Sequence, residues 1–198
     1  MIKAIIFDAD GVLIHRPKYF SEILQDEYGV PLEKSLEFFN GEFAECLIGK
    51  KDLKKVLPKY LKEWGWDKTL EELLTYWFER ESKRDEKIIE YVKDLKNKGF
   101  KIYIGTNNEK YRTEYLSNVL GLGKIAHKVY GSGVVGFAKP DHRFFKHILD
   151  DQKLQIEEVL FWDDDEENVK AARDFGINAE VYTNFNECKK LMDQYISK

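Results

Sequence analysis

Cysteine is almost missing from this chain: Cys46 and Cys188 are the only two. Two isolated thiols argue against a disulfide framework and fit a reducing compartment, so the expected location is the cytoplasm. Also missing is any apolar run of about 18 residues, which argues against a membrane-spanning helix. The N-terminus has no long apolar stretch, because Asp8 and Asp10 interrupt it, and no signal peptide is expected. Neither charge sign dominates: 32 Lys and Arg against 36 Asp and Glu give a formal net charge of -4 with both signs interspersed. That balance argues against a nucleic-acid-binding surface. Internal repeats and low-complexity tracts are absent as well. What remains is a chain of 198 residues, 43% hydrophobic, enough for one globular domain or for a domain carrying a smaller inserted one.

Strand and helix signals alternate along the sequence, with one long interruption. Residues 2–8 read as a buried strand ending in Asp8-Ala9-Asp10-Gly11. From about 18 to 80 no strand is evident. Helical patterning recurs instead, as in Phe20, Ile23, Leu24, Tyr28 and in Leu53, Val56, Leu57, Tyr60, Leu61, punctuated by glycines and prolines. A helix is expected over 85–98, with Ile88, Tyr91, Val92 and Leu95 as its apolar stripe and Gly99 as its stop. Strands are then expected over 101–105, 126–130, 158–162 and 178–182, and helices over 109–120, 141–149, 166–175 and 186–196. Repeated β-α-β crossovers imply a parallel sheet covered on both faces. An all-helical segment inserted after the first strand would hang over the carboxyl edge of that sheet.

Polar groups suited to chemistry follow the strands. Asp8 and Asp10 follow the first, Thr106-Asn107 the strand at 101–105, and Asp163-Asp164 the strand at 158–162, while Lys139 precedes Pro140. Parallel strands bring such ends together. Two carboxylates this close need a positive charge between them, and a magnesium ion with oxygen ligands supplies one. The set has the parts for phosphoryl transfer: a carboxylate to attack phosphorus, a second to shuttle a proton, a cation to neutralise charge, and a hydroxyl and an ammonium to hold phosphoryl oxygens. Taken singly, each group has an ordinary explanation as a turn, a cap or a solvated loop residue. Their order, each at a strand end, is what makes them a site.

The same residues resemble the haloacid-dehalogenase-like hydrolase superfamily over nearly the whole chain. Asp8-Ala9-Asp10-Gly11-Val12 is similar to its first motif and Ile104-Gly105-Thr106-Asn107 to its second. Lys139-Pro140-Asp141 is similar to the third, and Phe161-Trp162-Asp163-Asp164, followed by Asn168-Val169 and Ala171-Ala172, to the fourth. The helical insert resembles the cap of subfamily I, and Leu47-Ile48-Gly49 with Asp52-Leu53 is similar to a common cap feature. The resemblance implies a Rossmann-like three-layer α/β sandwich with a central parallel sheet: a catalytic core over 1–15 and 82–198 and an inserted all-helical cap over 16–81. It further implies Asp8 as nucleophile and magnesium ligand, and Asp10 as general acid and base whose backbone carbonyl reaches the metal. Thr106 and Asn107 would hold the phosphoryl group, Asn107 from its backbone or its side chain. Lys139 would pair with both the phosphoryl group and Asp8, Asp164 would be the third carboxylate at the metal, and Asp163 would orient it. Two features depart from the pattern. His15-Arg16-Pro17 stands where relatives often carry another aspartate, and Gly105 replaces a bulkier apolar residue. His15 and Arg16 read as exposed linker residues, with contact to substrate as the alternative.

Other signals are discounted. Gly131-Ser132-Gly133-Val134-Val135-Gly136 spells a dinucleotide fingerprint, but no helix is expected to open at Val134, so the segment reads as flexible turns leading to Lys139. His127, His142 and His147 lack zinc-like spacing. Trp64, Trp66, Tyr76, Trp77 and Phe78 read as cap core, with the roof of a substrate pocket as the alternative.

The expected function is a magnesium-dependent phosphohydrolase acting on a small phosphorylated metabolite through an aspartyl phosphate, with no nucleic-acid or membrane partner and with monomer or homodimer left open. A phosphomutase of the same superfamily, like β-phosphoglucomutase, is the alternative that the motifs do not separate. A dehalogenase fits less well, because it generally lacks the second aspartate and needs no metal. A receiver module of signalling places its acid pair before the acceptor, the reverse of the order here. A non-catalytic binding protein on the same scaffold is disfavoured because no catalytic group is missing.

Overall fold

A computed structural model describes residues 1–196. The strands are β1 (Ala4–Phe7), β2 (Ile14–His15), β3 (Lys83–Arg84), β4 (Lys101–Thr106), β5 (Lys128–Gly131), β6 (Val159–Asp163) and β7 (Asn178–Val181). The helices are α1 (Phe20–Tyr28), α2 (Leu32–Asn40), α3 (Glu42–Leu47), α4 (Leu53–Val56), α5 (Pro58–Glu63), α6 (Leu70–Arg80), α7 (Glu86–Asn97), α8 (Lys110–Glu114), α9 (Leu122–Ile125), α10 (Ser132–Val135), α11 (His142–Gln152), α12 (Glu166–Phe175) and α13 (Phe185–Ile196). A π-helical turn, Tyr115–Val119, prolongs α8.

Five strands form one parallel sheet in the order β5-β4-β1-β6-β7. The central strand β1 is apolar at every position and wholly buried, as a parallel strand covered on both faces must be. Its side chains alternate between two cores. Ile5 and Phe7 pack with Ile88, Val92 and Leu95 of α7 and with Met192 of α13. Ala4 and Ile6 pack with Phe144, Phe145 and Ile148 of α11 and Val169 of α12. Gly105 finds its reason here. A Cβ on it would lie 3.1 Å from the Phe144 ring and 3.2 Å from Ile6, so the bulk at this place comes from α11 and β1 instead. The expected elements form, with ends moved by a few residues. Asp85 caps α7 through its carboxylate to the Lys87 N–H, and the chain leaves through Gly99 in the left-handed region at φ 98°.

Helices α1–α6 build a separate hydrophobic core. Phe20, Phe38, Trp64, Trp66, Trp77 and Phe78 are buried in it, and rings meet edge-to-face or stacked, as Phe20 on Trp77 with centroids 5.0 Å apart. Two features differ from the sequence expectation. The linkers to and from the helical insert pair as a short antiparallel ribbon, β2 with β3, where no strand was expected. Two-residue strands carry no alternation to read, and this pairing exists only because both linkers cross the sheet edge together. Second, the glycine-rich segment is not merely turns: Ser132–Val135 forms one helical turn, α10, ended by Gly136 at φ 88°. Its glycines serve close approach. A Cβ on Gly133 would lie 3.0 Å from the Cys46 carbonyl of α3, and one on Gly49 would lie 2.6 Å from the Gly133 carbonyl. The insert therefore touches the sheet-bearing part backbone to backbone at this point.

Candidate active site

The carboxyl edge of the sheet positions the polar groups. The Asp8 N–H donates to the Trp162 carbonyl at 2.8 Å, extending the β1–β6 ladder by one step, so its carboxylate emerges where the sheet ends. Asp8 Oδ1 accepts from the Ala9 N–H at 2.7 Å and lies 3.0 Å from Lys139 Nζ. Lys139 Nζ also donates to Asp163 Oδ2 at 2.5 Å, and the ammonium is wholly shielded from solvent. Burial opposes its charge, but the carboxylates of Asp8 and Asp163 outweigh burial and raise its pKa, so Lys139 stays an ammonium. Asp163 is fully engaged: Oδ1 accepts from the Asp165 N–H at 2.9 Å and both oxygens lie 3.2 Å from Asn168 Nδ2.

Asp8, Asp163 and Asp164 each bring a carboxylate oxygen within 4.8 Å of the others. Three carboxylates face one ammonium there, which leaves two negative charges uncompensated. Burial, opposed by Lys139 and helped by the charges of Asp163 and Asp10, pushes Asp8 up to about 7. A hard divalent cation with oxygen ligands fits this donor set and this excess of charge. Gly11 makes room for the Asp164 carboxylate. The glycine adopts φ 85°, and a Cβ there would lie 2.0 Å from an Asp164 carboxylate oxygen.

The Asp10 side chain points elsewhere. Its Oδ1 lies 2.9 Å from an Arg112 nitrogen and 3.2 Å from an Arg16 nitrogen, and its Oδ2 accepts from Asn108 Nδ2 at 2.8 Å. Burial works against its charge, but Arg112 first, then Arg16 and the Asn108 hydrogen bond, hold the Asp10 carboxyl below the usual range. Thr106 is buried at the end of β4 and its hydroxyl accepts from Asn108 Nδ2 at 2.7 Å, which leaves its proton free to donate. Asn107 uses both ends of its amide on the backbone of Lys139: Nδ2 donates to the carbonyl at 2.8 Å, and the Lys139 N–H donates to Oδ1 at 2.9 Å. Its side chain therefore anchors the Lys139 loop, and its backbone N–H is what it can offer a ligand. Together Asp8, Asp10, Thr106, Asn107, Asp163 and Asp164 line a cavity of about 490 Å³.

Arg16 is not the exposed linker residue expected from its place in the chain. It lies on Asp10 and, at 3.6 Å, on Glu81. His15 does lie at the surface, where it meets Asp85 at 3.0 Å, yet it also lines the same cavity. Sequence reasoning missed Asn108, Arg112 and Glu81. Asn108 directly follows Thr106-Asn107, and Arg112 is one helical turn further, so the i, i+4 spacing held a signal. Glu81 gave none: it reaches Arg112 and Arg16 only because the β2–β3 ribbon brings the two linkers together.

A family model described as haloacid dehalogenase-like hydrolase matches residues 2–176. A stretch of 120 residues is 32% identical to drimenol cyclase drtB of Aspergillus calidoustus, covering 59% of this chain and 23% of that protein. The chain spans less than half the length of the first curated relatives it matches. D-ribitol-5-phosphate phosphatase of Bacteroides thetaiotaomicron is 25% identical over 187 residues, 89% of each chain. The fold matches that of a haloacid-dehalogenase-family enzyme from Bacteroides thetaiotaomicron, crystallised with magnesium and inorganic phosphate, with a TM-score of 0.79 at 19% identity over 92% of this chain and 95% of that one.

Proposed function

The chain belongs to the haloacid dehalogenase-like hydrolase family, and from that premise we propose that it is a magnesium-dependent phosphatase that cleaves a small organic monophosphate through an aspartyl phosphate on Asp8. The observation that carries the reading is the Lys139 ammonium clamped between Asp8 and Asp163 near the Thr106 hydroxyl, which accepts from Asn108 and keeps its proton free to donate. A relative that is a D-ribitol-5-phosphate phosphatase, and a fold neighbour crystallised with magnesium and inorganic phosphate, support the same chemistry.

In this reading Asp8 and Asp164, with the Asp10 backbone carbonyl, would hold the magnesium ion, and Asp163 orients Lys139 and the loop. When bound, the ion neutralises charge between the attacking carboxylate and the phosphate. Lys139 and Thr106 hold the phosphoryl oxygens, and the Lys139 charge stabilises the transition state. Asp8 forms a bond to phosphorus through the oxygen not held by Ala9, as the bond to the leaving oxygen breaks and Asp10 protonates that oxygen. Water then attacks phosphorus, Asp10 takes its proton, and the Asp8–phosphorus bond breaks. Arg112 and Arg16 keep Asp10 ionised at rest, the form needed for the second step. An arriving phosphate dianion offsets those two guanidiniums, raises the Asp10 pKa and favours the protonated form needed for the first. Residues 16–81 act as a cap over a core of 1–15 and 82–198, and the β2–β3 ribbon is the hinge on which it opens to admit substrate.

The test is hydrolysis of p-nitrophenyl phosphate. Turnover should require magnesium, stop with EDTA, return when magnesium is restored, and vanish in Asp8→Asn. Metal-independent turnover, or wild-type rates in Asp8→Asn, would overturn the reading.

A further inference from the structure

We propose that the leaving group of the substrate is an apolar chain or ring system, and that it lies in a second cavity walled largely by the helical insert. This rests on the phosphatase reading of the neighbouring site. The second cavity, about 530 Å³, shares Arg16, Tyr19 and Asn107 with the candidate phosphate site, so the two adjoin. Its size suits a small-molecule ligand.

Its far wall is apolar: Leu32, Leu36, Phe39, Phe43, Leu47 and Trp77. The spacing explains how the sequence builds this wall. Leu32, Leu36 and Phe39 lie at i, i+4 and i+7 of α2, on a face apart from Ser35 and Phe38, which turn into the helical core. Phe43 and Leu47 of α3, four residues apart, continue the stripe. α2 thus turns Phe38 into the helical core and leaves the row of Leu32, Leu36 and Phe39 along the cavity. Phe39 and Phe43 meet each other and Trp77 at centroid distances of 5.2 to 5.4 Å, which makes the wall a fixed aromatic surface. Of the five large apolar side chains exposed among the described residues, two, Tyr19 and Leu36, belong to this cavity.

The polar side chains of this cavity face one another, although Arg16 Nε and Arg112 Nε and Nη1 are buried without a hydrogen-bond partner. Arg16 and Arg112 face Asp10 and Glu81, two positive charges against two negative ones. Asn107 is bound to the Lys139 backbone and the Asn108 amide nitrogen to Asp10 and Thr106. Methylenes entering against the apolar wall would gain burial.

The experiment measures kcat/KM for ethyl, butyl, hexyl, octyl and decyl phosphate and for glycerol 3-phosphate, with magnesium, alongside p-nitrophenyl phosphate. The expected result is a rise of about threefold to fourfold for each methylene that enters the cavity, the equivalent of roughly 0.8 kcal/mol, levelling off once it is full. The rise should fall mainly on KM, because the chain makes the same contacts in ground and transition states. Leu36→Glu and Leu47→Glu, confirmed as folded by circular dichroism, should flatten the series. A flat series in the wild type, a preference for glycerol 3-phosphate, or an unchanged slope in both folded variants would overturn the inference, while turnover of p-nitrophenyl phosphate left standing would keep the phosphatase reading. If wild-type protein with magnesium hydrolyses no phosphate ester, that reading fails and this inference falls with it.

Discussion

The sheet-bearing part and the helical insert use burial in opposite ways. The first buries charge: Asp8, Asp163, Lys139 and Arg112 are all below a tenth exposed, and each is held by at least one opposite charge. The second buries rings: its core is aromatic and aliphatic, and the charges it carries lie at its surface or at the joint with its neighbour. Buried charge is weak as a source of stability and strong as a source of chemistry, whereas buried rings are the reverse. The difference teaches that chemistry and specificity are separable here. On the proposed function, one region would hold the phosphate and the other would meet whatever is attached to it.

The largest expected effect tests the first half of that contrast. Asp8→Asn should lower kcat by about 10⁴-fold or more, since the nucleophile is gone. The melting temperature should not fall, because the neutral amide keeps the shape and relieves a crowded group of carboxylates. A rate loss that merely tracked a fall in melting temperature would erase the distinction. Next comes Trp64→Ala in the insert. Trp64 is buried against Phe38 and Tyr60, so truncation should cost about 3–5 kcal/mol in denaturant unfolding. At temperatures where the variant is folded, its kcat on p-nitrophenyl phosphate should stay within about threefold of wild type, given that the ring touches no catalytic group. A smaller effect sharpens the boundary. Asn108→Ala removes the donor shared by Asp10 and Thr106 and should lower kcat about 10- to 100-fold. Asn108→Asp keeps the size but replaces the donor with a charge and should not restore the rate. The smallest effect belongs to the surface of the insert. Glu42 is held down to about 2 by hydrogen bonds from Lys59 first and Tyr60 second. A carboxylate lowered on folding stabilises above its unfolded value near 4.5 and loses that contribution as pH falls toward 2. Glu42→Gln should therefore narrow the stability difference between neutral and acidic pH, read from urea midpoints, with no change in kcat.

The order of strands and helices in the sheet-bearing part was legible because each element carries its own period, cap or stop, as in Asp85, Gly99 and Gly176. Asp8, Thr106, Lys139, Asp163 and Asp164 were legible as a set because parallel strands oblige their ends to meet. The β2–β3 ribbon was not, since two residues hold no pattern. Arg16 was misread because the chain around it looks like a linker, and only the return of the chain at Glu81 gives it a partner. The role of Asn107 as the anchor of the Lys139 backbone was illegible for the same reason: the hydrogen bonds span 32 positions. The aromatics Trp64, Trp66 and Phe78 fall in the insert's core as composition suggested and Trp77 also lines the second cavity, but most of that wall comes from Leu32, Leu36, Phe39, Phe43 and Leu47, and the i, i+4, i+7 row of the first three was visible in the sequence and passed over.

The central claim is that Asp8 takes up the phosphoryl group. Acid-quenching the enzyme during turnover of a phosphorus-labelled ester, followed by peptide mapping, tests it most directly. The account predicts label on the peptide containing Asp8 in the wild type and none in Asp8→Asn. Label on another residue, or steady turnover with no labelled enzyme at any quench time, would contradict it.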